Sequence, residues 1–261
     1  IHLPKPIHQY YMKTLCTTIA LFLCISFFST SLYASGETER DDFPNFIENK
    51  GQWEDRVLYK VEMFSASIFL EADRLTYLLM DDNDLHDLHH RHHHPEENWS
   101  EELLLDAHAF NVQFVGANPD AAKRSSCDLP NYRNYYLGSD SEKWASNVGL
   151  YRQVDYDGLY KDVDFRLYGS EGNVKYDFMV APHGDVTQIK LLYEGVDNLF
   201  IKDGHLHIVT SVNTMIEQAP YAYQYIDGQE VQVDCHFKTD GRHVTFELPN
   251  DYDRTQELII D

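Results

Sequence analysis

The densest group of potential metal ligands is a histidine run in the first half of the chain. The run and its acidic neighbours comprise His86, His89, His90, His92, His93, His94, Asp84, Asp87, Glu96 and Glu97. On a helix, imidazoles three and four residues apart would share one face, and imidazole is a ligand of zinc, copper and nickel. However, the low complexity of the run, Pro95 and the acidic flanks favour a solvated loop, which does not hold ligands in place. We therefore predict a polar loop, with adventitious metal affinity or a specific site as the alternatives, and assign no metal ligand.

Four aspartates in the middle of the chain are candidates for a calcium site. They are Asp155, Asp157, Asp162 and Asp164. The spacing does not follow the EF-hand loop, because Leu159 takes the fifth position and no glutamate follows at the twelfth. Alternation along a strand places Asp162 and Asp164 on one face. We interpret the group as a solvated strand edge rather than a calcium site.

No pattern in the sequence predicts a catalytic centre. With 43 acidic residues, two carboxylates at a glycosidase-like separation arise by chance, and the local sequence favours no particular pair. The segment Gly169-Ser170-Glu171-Gly172 is typical of a turn and not of a G-x-S-x-G nucleophile elbow. The sequence also lacks a P-loop, a dinucleotide-binding glycine motif and an H-E-x-x-H motif. We therefore predict no catalytic residue, no cofactor-binding residue and no cofactor.

Aromatic side chains are abundant and bear on both fold and binding. The sequence holds 18 tyrosines and 14 phenylalanines, and such rings can line a glycan-binding platform. Most of them alternate with polar residues, most densely within residues 144–185, which favours core packing and cross-strand pairing. This alternation, interrupted by Gly-containing turns, predicts an antiparallel sheet with one buried and one solvated face.

The whole chain after residue 43 follows this strand pattern and predicts an all-β fold. Short strands recur at intervals of about eight to twelve residues, which is typical of an antiparallel β-sandwich. They include residues 57–63, 231–237 and 258–260.

Two polar segments interrupt the strands. Residues 81–102, which contain the histidines, and residues 117–130 are predicted to be loops. They would divide the chain into sub-units 43–115 and 131–261, but we favour one module over 43–261, because the first part offers few strands to close a core alone.

The N-terminal residues have the features of an export signal. Residues 12–34 combine a basic start, an apolar run and small residues at the end, which predicts a cleaved signal peptide rather than a membrane anchor. Residues 1–11 precede the first methionine, Met12, and are interpreted as an over-long start. The net charge of -22 argues against nucleic acid and anionic membranes as partners. We expect an extracellular or outer-surface protein with no membrane-spanning segment after signal cleavage.

Cysteine usage leaves two possibilities. Cys16 and Cys24 lie within the predicted signal, so the mature chain keeps Cys127 and Cys235. These two thiols pair in an oxidising compartment or remain separate, and their sequence positions do not decide between a disulfide and two free thiols.

A series of short motifs resembles a known family. In order they are Phe46-Ile47-Glu48-Asn49-Lys50-Gly51-Gln52-Trp53, Asn134-Tyr135-Tyr136-Leu137-Gly138, Trp144 with Asn147-Val148, Val163 to Gly169, Tyr176 to Pro182, and Ala219-Pro220-Tyr221-Ala222-Tyr223-Gln224. The series resembles the N-terminal module, itself of unknown function, of exported Bacteroidetes-type surface proteins. Those proteins continue into SBBP (seven-bladed β-propeller) repeats or gliding-motility-associated C-terminal regions.

The resemblance implies a non-catalytic role. It indicates a structural, adhesion or interaction module at the front of a larger surface protein exported by type IX secretion, so that this chain is a fragment. The implied partners are downstream repeat domains, surface glycans or other surface proteins. Two turns depart from the family pattern, at Lys161-Asp162 and at His183, and both leave the strands intact. The alternative from the residues is a glycan-binding or glycan-cleaving domain, which exposed Trp or Tyr rings on a strand face would favour.

Overall fold

The structure is a computed structural model that describes residues 43–93, 104–141 and 144–261. The predicted segments 1–11 and 12–34 lie outside the described residues. Within the described part the chain forms eighteen β-strands, one α-helix and one 3₁₀ turn. The first seven strands are β1 (Phe46–Glu48), β2 (Tyr59–Glu62), β3 (Ala66–Leu70), β4 (Arg74–Met80), β5 (Ala107–Phe114), β6 (Ala122–Tyr135) and β7 (Ala145–Tyr160).

The remaining elements follow without long connections. They are β8 (Val163–Ser170), β9 (Asn173–Val180), the 3₁₀ turn (Val186–Gln188), β10 (Lys190–Glu194), β11 (Asn198–Lys202), β12 (His205–Val209), β13 (Thr214–Glu217), β14 (Ala222–Ile226), β15 (Gln229–Val233), β16 (His236–Thr239), β17 (His243–Glu247) and β18 (Leu258–Ile260). Helix α1 (Asp82–His93) lies between β4 and β5.

Fifteen strands form one antiparallel sheet. Its order is β15-β14-β18-β9-β8-β7-β1-β2-β3-β4-β5-β10-β17-β16, and β6 pairs with β7 beside this path. The predicted all-β antiparallel fold is therefore confirmed. Both predicted sub-units contribute to the same sheet, because β1 pairs with β7 and β5 pairs with β10. The late strand β18 lies in the interior of the order, between β14 and β9.

The large sheet folds back on itself to enclose a core. The edge strands β15 and β16, at the two ends of this order, are joined by only Asp234 and Cys235, so the single strand predicted over residues 231–237 is in fact two. Rings from distant strands meet inside: Phe114 of β5 lies 4.9 Å from Phe165 of β8, and Phe178 of β9 lies 5.7 Å from Phe246 of β17. The two layers therefore share one sandwich-like core.

The core follows the alternation that the sequence shows. Along β8, Val163, Phe165 and Leu167 are buried while Asp164 is exposed. Phe165 is the centre of this packing, with ring centroids 4.8 Å from Phe178 and 5.8 Å from Tyr156. Successive strand residues point to opposite faces, so this period of two places every second side chain in the core.

A small antiparallel sheet of β11, β12 and β13 covers one side of the core. Leu199, Leu206 and Ile208 are buried under it, and they belong to the same hydrophobic cluster as the large sheet. The small sheet places Met215 and Glu217 of β13 against the rings of the large sheet.

Both segments predicted to be loops contain regular structure, and these two predictions are wrong for the described residues. Residues 82–93 form α1, whose first turn is capped because Asp81 Oδ1 accepts hydrogen bonds from the N–H groups of Asn83 and Asp84. Acidic residues at its start and Arg91 with imidazoles at its end suit the helix dipole. Residues 94–102 lie outside the described residues or at their boundary. No helix among the described residues has the length and apolar character needed to span a membrane.

The second wrongly predicted loop, 117–130, contains most of β6. This strand pairs only with β7 and is exposed along most of its length, so it carries no apolar alternation to reveal it. Its register shifts between Asp128 and Tyr132, at the position of Pro130, as expected for a proline in an edge strand.

Replacing Phe165 with Ala should remove the centre of the shared core. We expect the free energy of unfolding to fall by about 3–5 kcal/mol, as for other large-to-small core substitutions, measured by urea denaturation. The control is Phe64→Ala, because Phe64 is 66% exposed, and it should change stability by less than about 0.5 kcal/mol. Equal losses in the two variants would contradict the shared core.

Candidate binding face

The histidine run lies on α1 and its exposed end. His89 and His93 approach each other, with 3.2 Å between their Nε2 atoms, and His86 packs against the ring of Phe64. His94, Glu96 and Glu97 lie outside the described residues. Within residues 43–93, 104–141 and 144–261, no three His, Cys, Asp or Glu side chains are grouped closely enough to hold a metal ion. The helix therefore brings two imidazoles together without completing a site.

The four central aspartates have different environments in the structure. Asp155 is buried and accepts hydrogen bonds from Arg166 Nε at 2.8 Å and from the Gln153 amide. Asp157 pairs with Arg124. Asp162 and Asp164 are exposed, the first in the β7–β8 turn. The solvated-edge interpretation thus fits Asp162 and Asp164 and is wrong for Asp155, which is buried and paired with the more exposed Arg166.

Cys127 and Cys235 are free thiols in this structure. Cys127 is exposed on β6, whereas Cys235 is buried in the link between the two sheet edges. Burial, together with Asp234, raises the pKa of the Cys235 thiol to about 12. Only the thiolate is nucleophilic, so Cys235 is a packing residue.

The opening motif at residues 46–53 fastens the chain rather than forming a reactive site. Asn49 Oδ1 accepts hydrogen bonds from the N–H groups of Gly51 and Trp53, and its amide donates to the carbonyl of Val57 at 2.7 Å. Gln52 is buried and donates to the carbonyl of Glu48 at 2.6 Å. The two amides therefore satisfy the backbone of the β1–β2 connection.

A serine and a histidine meet in a way that resembles part of a catalytic dyad. Ser211 Oγ lies 2.9 Å from Nδ1 of the buried His108, and His108 Nε2 lies 2.7 Å from the carbonyl oxygen of Gly195. However, Nδ1 also accepts the backbone N–H of Ser211 at 3.1 Å, so its lone pair is already engaged. The arrangement ties the small sheet to β5, and sequence spacing gave no signal for it.

Glu217 is the main ionisable group that faces the core. Its carboxylate accepts hydrogen bonds from the hydroxyls of Tyr176 and Tyr193, the latter at 3.2 Å. It borders a cavity of about 20 Å³ lined otherwise by apolar and aromatic side chains, which is room for about one water molecule and far below a ligand pocket. Burial raises the pKa of Glu217 to about 7, because the charged form is poorly solvated there.

An open groove of about 300 Å³ lies near the start of the described chain. Phe43, Asn45 and Phe64 line it together with Arg133 and Glu62, which form an ion pair. The Asn45 Oδ1 atom is buried and has no hydrogen-bond partner within the described structure. The groove is shallow and its charges are paired, so it offers little to orient a ligand.

An exposed aromatic surface is formed by a row of three tyrosines on β14 and the residue before it. Tyr221, Tyr223 and Tyr225, called the tyrosine row below, alternate with the buried Ala222 and Gln224. Tyr221 and Tyr225 are 39% and 53% exposed. Ring centroids are 5.6 Å apart between Tyr221 and Tyr223 and 5.7 Å apart between Tyr223 and Tyr225. Large rings here face outward while a small and a polar residue face inward.

Polar side chains border the tyrosine row on both sides. On β15, Glu230 accepts hydrogen bonds from the hydroxyls of Tyr221 and Tyr225, at 2.8 and 3.4 Å, and Gln232 lies opposite Tyr223. On the other side, Asp261 pairs with the backbone of Tyr221. Asp177 of β9 lies beyond it, and burial together with the charge of Asp261 raises the pKa of Asp177.

The interpretation of the aromatic residues as core residues is therefore correct for some of the rings and wrong for others. It holds for rings such as Phe165, but in the tyrosine row Tyr221 and Tyr225 are exposed and Tyr223 is half-buried. The signal in the sequence was the inverted alternation Tyr-Ala-Tyr-Gln-Tyr, in which the small and polar residues take the inward positions. Gln224 is accommodated inside because its amide hydrogen-bonds the backbone of Asp253 in both directions.

The comparisons with known proteins agree with the expected class of domain. Residues 46–261 match the family DUF7948, described as a domain of unknown function. No curated protein and no solved structure matches the chain. The predicted resemblance to a module of unknown function, which was expected over residues 43–261, is confirmed at this level over residues 46–261.

Replacing Glu217 with Gln should flatten the pH dependence of stability between its ordinary pKa of 4.5 and its raised pKa of about 7. Within this window the unfolded chain releases the Glu217 proton and the folded chain retains it, so rising pH destabilises the wild type. The variant should gain up to about 3 kcal/mol relative to wild type above the window. Urea unfolding at pH values below, within and above the window measures this. The control is Glu171→Gln in the exposed β8–β9 turn; the same slope in all three proteins would contradict the raised pKa of Glu217.

Alkylation should distinguish the two thiols. Under native conditions iodoacetamide should modify Cys127, which is exposed, and leave Cys235 unmodified, because Cys235 is buried and its thiol is protonated. Peptide mass spectrometry locates the label, and the protein in guanidinium serves as the control in which both sites react. Protection of both thiols until a reductant is added would instead reveal a disulfide.

Proposed function

Because the chain belongs to DUF7948, a family whose function is unknown, we propose a function from the surface of the chain itself. It is a non-catalytic interaction module of an exported cell-surface protein. The observation that carries this proposal is the solvent-exposed tyrosine row, combined with an interior whose cavity holds about one water molecule. Both observations, made on the described residues, support a ligand that binds to an exposed sheet face.

The engagement of reactive groups supports a non-catalytic role. His108 Nδ1 is occupied by the backbone N–H of Ser211, Glu217 is enclosed by tyrosines, and the Cys235 thiol is buried. A catalytic base needs a free lone pair within reach of substrate, and none of these groups provides one.

The export part of the proposal rests on sequence. Residues 12–34 have the pattern of a signal peptide, and a net charge of -22 suits an exported, self-repelling surface protein. The motif series adds the association with repeat-bearing, type IX-exported surface proteins, in which this module would serve adhesion or structure.

A glycan-cleaving domain is the second candidate, and one observation favours it. Asp177 and Asp261 are neighbouring carboxylates beside the tyrosine row, and the pKa of Asp177 is raised, as for a general acid. However, Lys175 Nζ contacts both oxygens of Asp261, at 2.7 and 2.9 Å, and the hydroxyl of Tyr168 donates to Asp177. Both carboxylates are engaged on an open sheet face, where nothing excludes water from a reaction.

The non-catalytic proposal is tested by activity assays on the purified full chain. We expect no release of reducing ends from polysaccharides and no hydrolysis of chromogenic esters above the blank. Asp177→Asn and Ser211→Ala are assayed in parallel, because they remove the two arrangements closest to catalytic ones. Turnover by the wild type that either substitution abolishes would overturn the non-catalytic role.

The surface location is tested separately on intact cells that produce the protein. Protease added outside the cells should digest it, while a cytoplasmic marker protein stays intact. Protection of the chain until the cells are lysed would contradict surface exposure.

A further inference from the structure

We propose that the tyrosine row, with Glu230 and Gln232, is a binding site for a neutral polysaccharide. This inference deepens the proposed interaction function by assigning its surface and the chemical class of its ligand. It rests on the geometry of the rings, on hydrogen-bonding groups left open beside them, and on the charge around them.

The rings provide the apolar contact. Their centroids are spaced by 5.6 and 5.7 Å, comparable with the spacing of successive sugar rings in an extended hexose chain. Tyr221 and Tyr223 are inclined by 34°, whereas Tyr225 stands at 87° to Tyr223. The first two rings can therefore contact the C–H faces of neighbouring sugars, and Tyr225 forms a wall at one end of the row. Aromatic rings of this kind present a large rigid area with a polar tip.

The polar neighbours provide both kinds of hydrogen-bonding group. The two tyrosine hydroxyls that donate to Glu230 fix its carboxylate, which keeps further lone pairs as an acceptor. Within the described part of the chain, neither the Gln232 amide nor the Tyr223 hydroxyl has a side-chain hydrogen bond, and Gln232 is exposed. Sugar hydroxyls donate and accept, so a carboxylate, a free amide and a free phenol beside stacked rings match a polyol.

The charge around the row selects a neutral ligand. Glu230, Asp177 and Asp261 surround it with negative charge, and the nearby cations are already paired: Lys175 with Asp261, and Arg166 with Asp155. An anionic polymer would be repelled and would find no unpaired cation to bind. The same charge opposes the docking of a second copy of this chain, whose face would carry the same carboxylates.

The position of the row at the end of the sheet gives a long ligand access. Beyond β14 only the edge strand β15 remains, and Gln229 to Gln232 are exposed along it. A polymer can therefore run along the row and past the β14–β15 turn, where β15 is the one strand of the described sheet beyond β14. An extended polysaccharide fits this open edge better than a small enclosed molecule, because the site is a surface and not a pocket.

Affinity electrophoresis of the full chain tests the inference. Native gels contain galactomannan, hydroxyethyl cellulose or laminarin as neutral probes, or alginate as an acidic one, and calorimetry then gives Kd for the probe that retards the protein. We expect retardation by at least one neutral probe and none by alginate. Tyr223→Ala and Tyr225→Ala should each weaken binding about tenfold, and Tyr225→Phe should retain most of the affinity because it keeps the ring.

The matched control is Tyr132→Ala, which removes an equally exposed tyrosine (60%) from β6. It should leave binding unchanged, and urea unfolding shows whether each variant is folded. Tyr225 is exposed enough that its removal tests the site even if Tyr223→Ala destabilises the sheet. No retardation by any neutral probe, equal loss in Tyr132→Ala, or equal retardation by alginate would each overturn the proposed site.

The experiments distinguish failure of the polysaccharide site from failure of the proposed non-catalytic function. If the bound polysaccharide is degraded by the wild type and not by Asp177→Asn, the non-catalytic role is wrong while the tyrosine row remains the binding site. If the neutral probes do not bind and no turnover is found, the polysaccharide site is wrong while the non-catalytic role remains.

Discussion

The contact between Phe114 of β5 and Phe165 of β8 is the interaction on which the rest of the structure depends, because it joins two layers of one continuous sheet. In this fifteen-stranded sheet, folding brings the edge strands β15 and β16 together at Asp234 and Cys235, while β6 forms a further edge beside β7. Once the inner faces are committed to this shared core, any large side chain on an outer face must remain at the surface. The tyrosine row is exposed for this reason.

Several polar side chains that could by their type bind a ligand or react instead hold this folded sheet together. Asn49 satisfies the backbone of the β1–β2 connection, His108 fastens the small sheet to β5, and Asp155 neutralises Arg166 across β7 and β8. Each is a plausible functional residue by type alone. Their partners show that burial of backbone and charge, rather than reaction with a substrate, accounts for them. The tyrosine row differs, since no packing requirement places three large rings on a solvated face.

The sequence predicted the fold where side-chain burial follows a period of two, and failed where burial does not vary along an element. Val163, Phe165 and Leu167 alternate with polar residues and revealed β8 directly. Strand β6 is exposed along most of its length, so its sequence shows no alternation of apolar and polar residues that would indicate a strand. Helix α1 buries only Leu85, so its residues resembled a loop. The candidate binding face corresponds to the alternating tyrosines Tyr221, Tyr223 and Tyr225. Recognising it from the sequence would have required knowing that Ala222 and Gln224 point inward. That orientation depends on distant parts of the chain, namely β18 and the loop near Asp253.

The place of β18 between β14 and β9 has a consequence for the order of assembly. A chain emerges from the ribosome with its N-terminal residues first, so β9 and the β14–β15 hairpin are complete before residues 258–260 exist. Until then β9 presents an unpaired edge, and the hairpin that carries the tyrosines has no neighbour on which to dock. The sheet is therefore completed in its interior rather than at an edge, and the outward-facing rings acquire their fixed arrangement only after β18 has been synthesised.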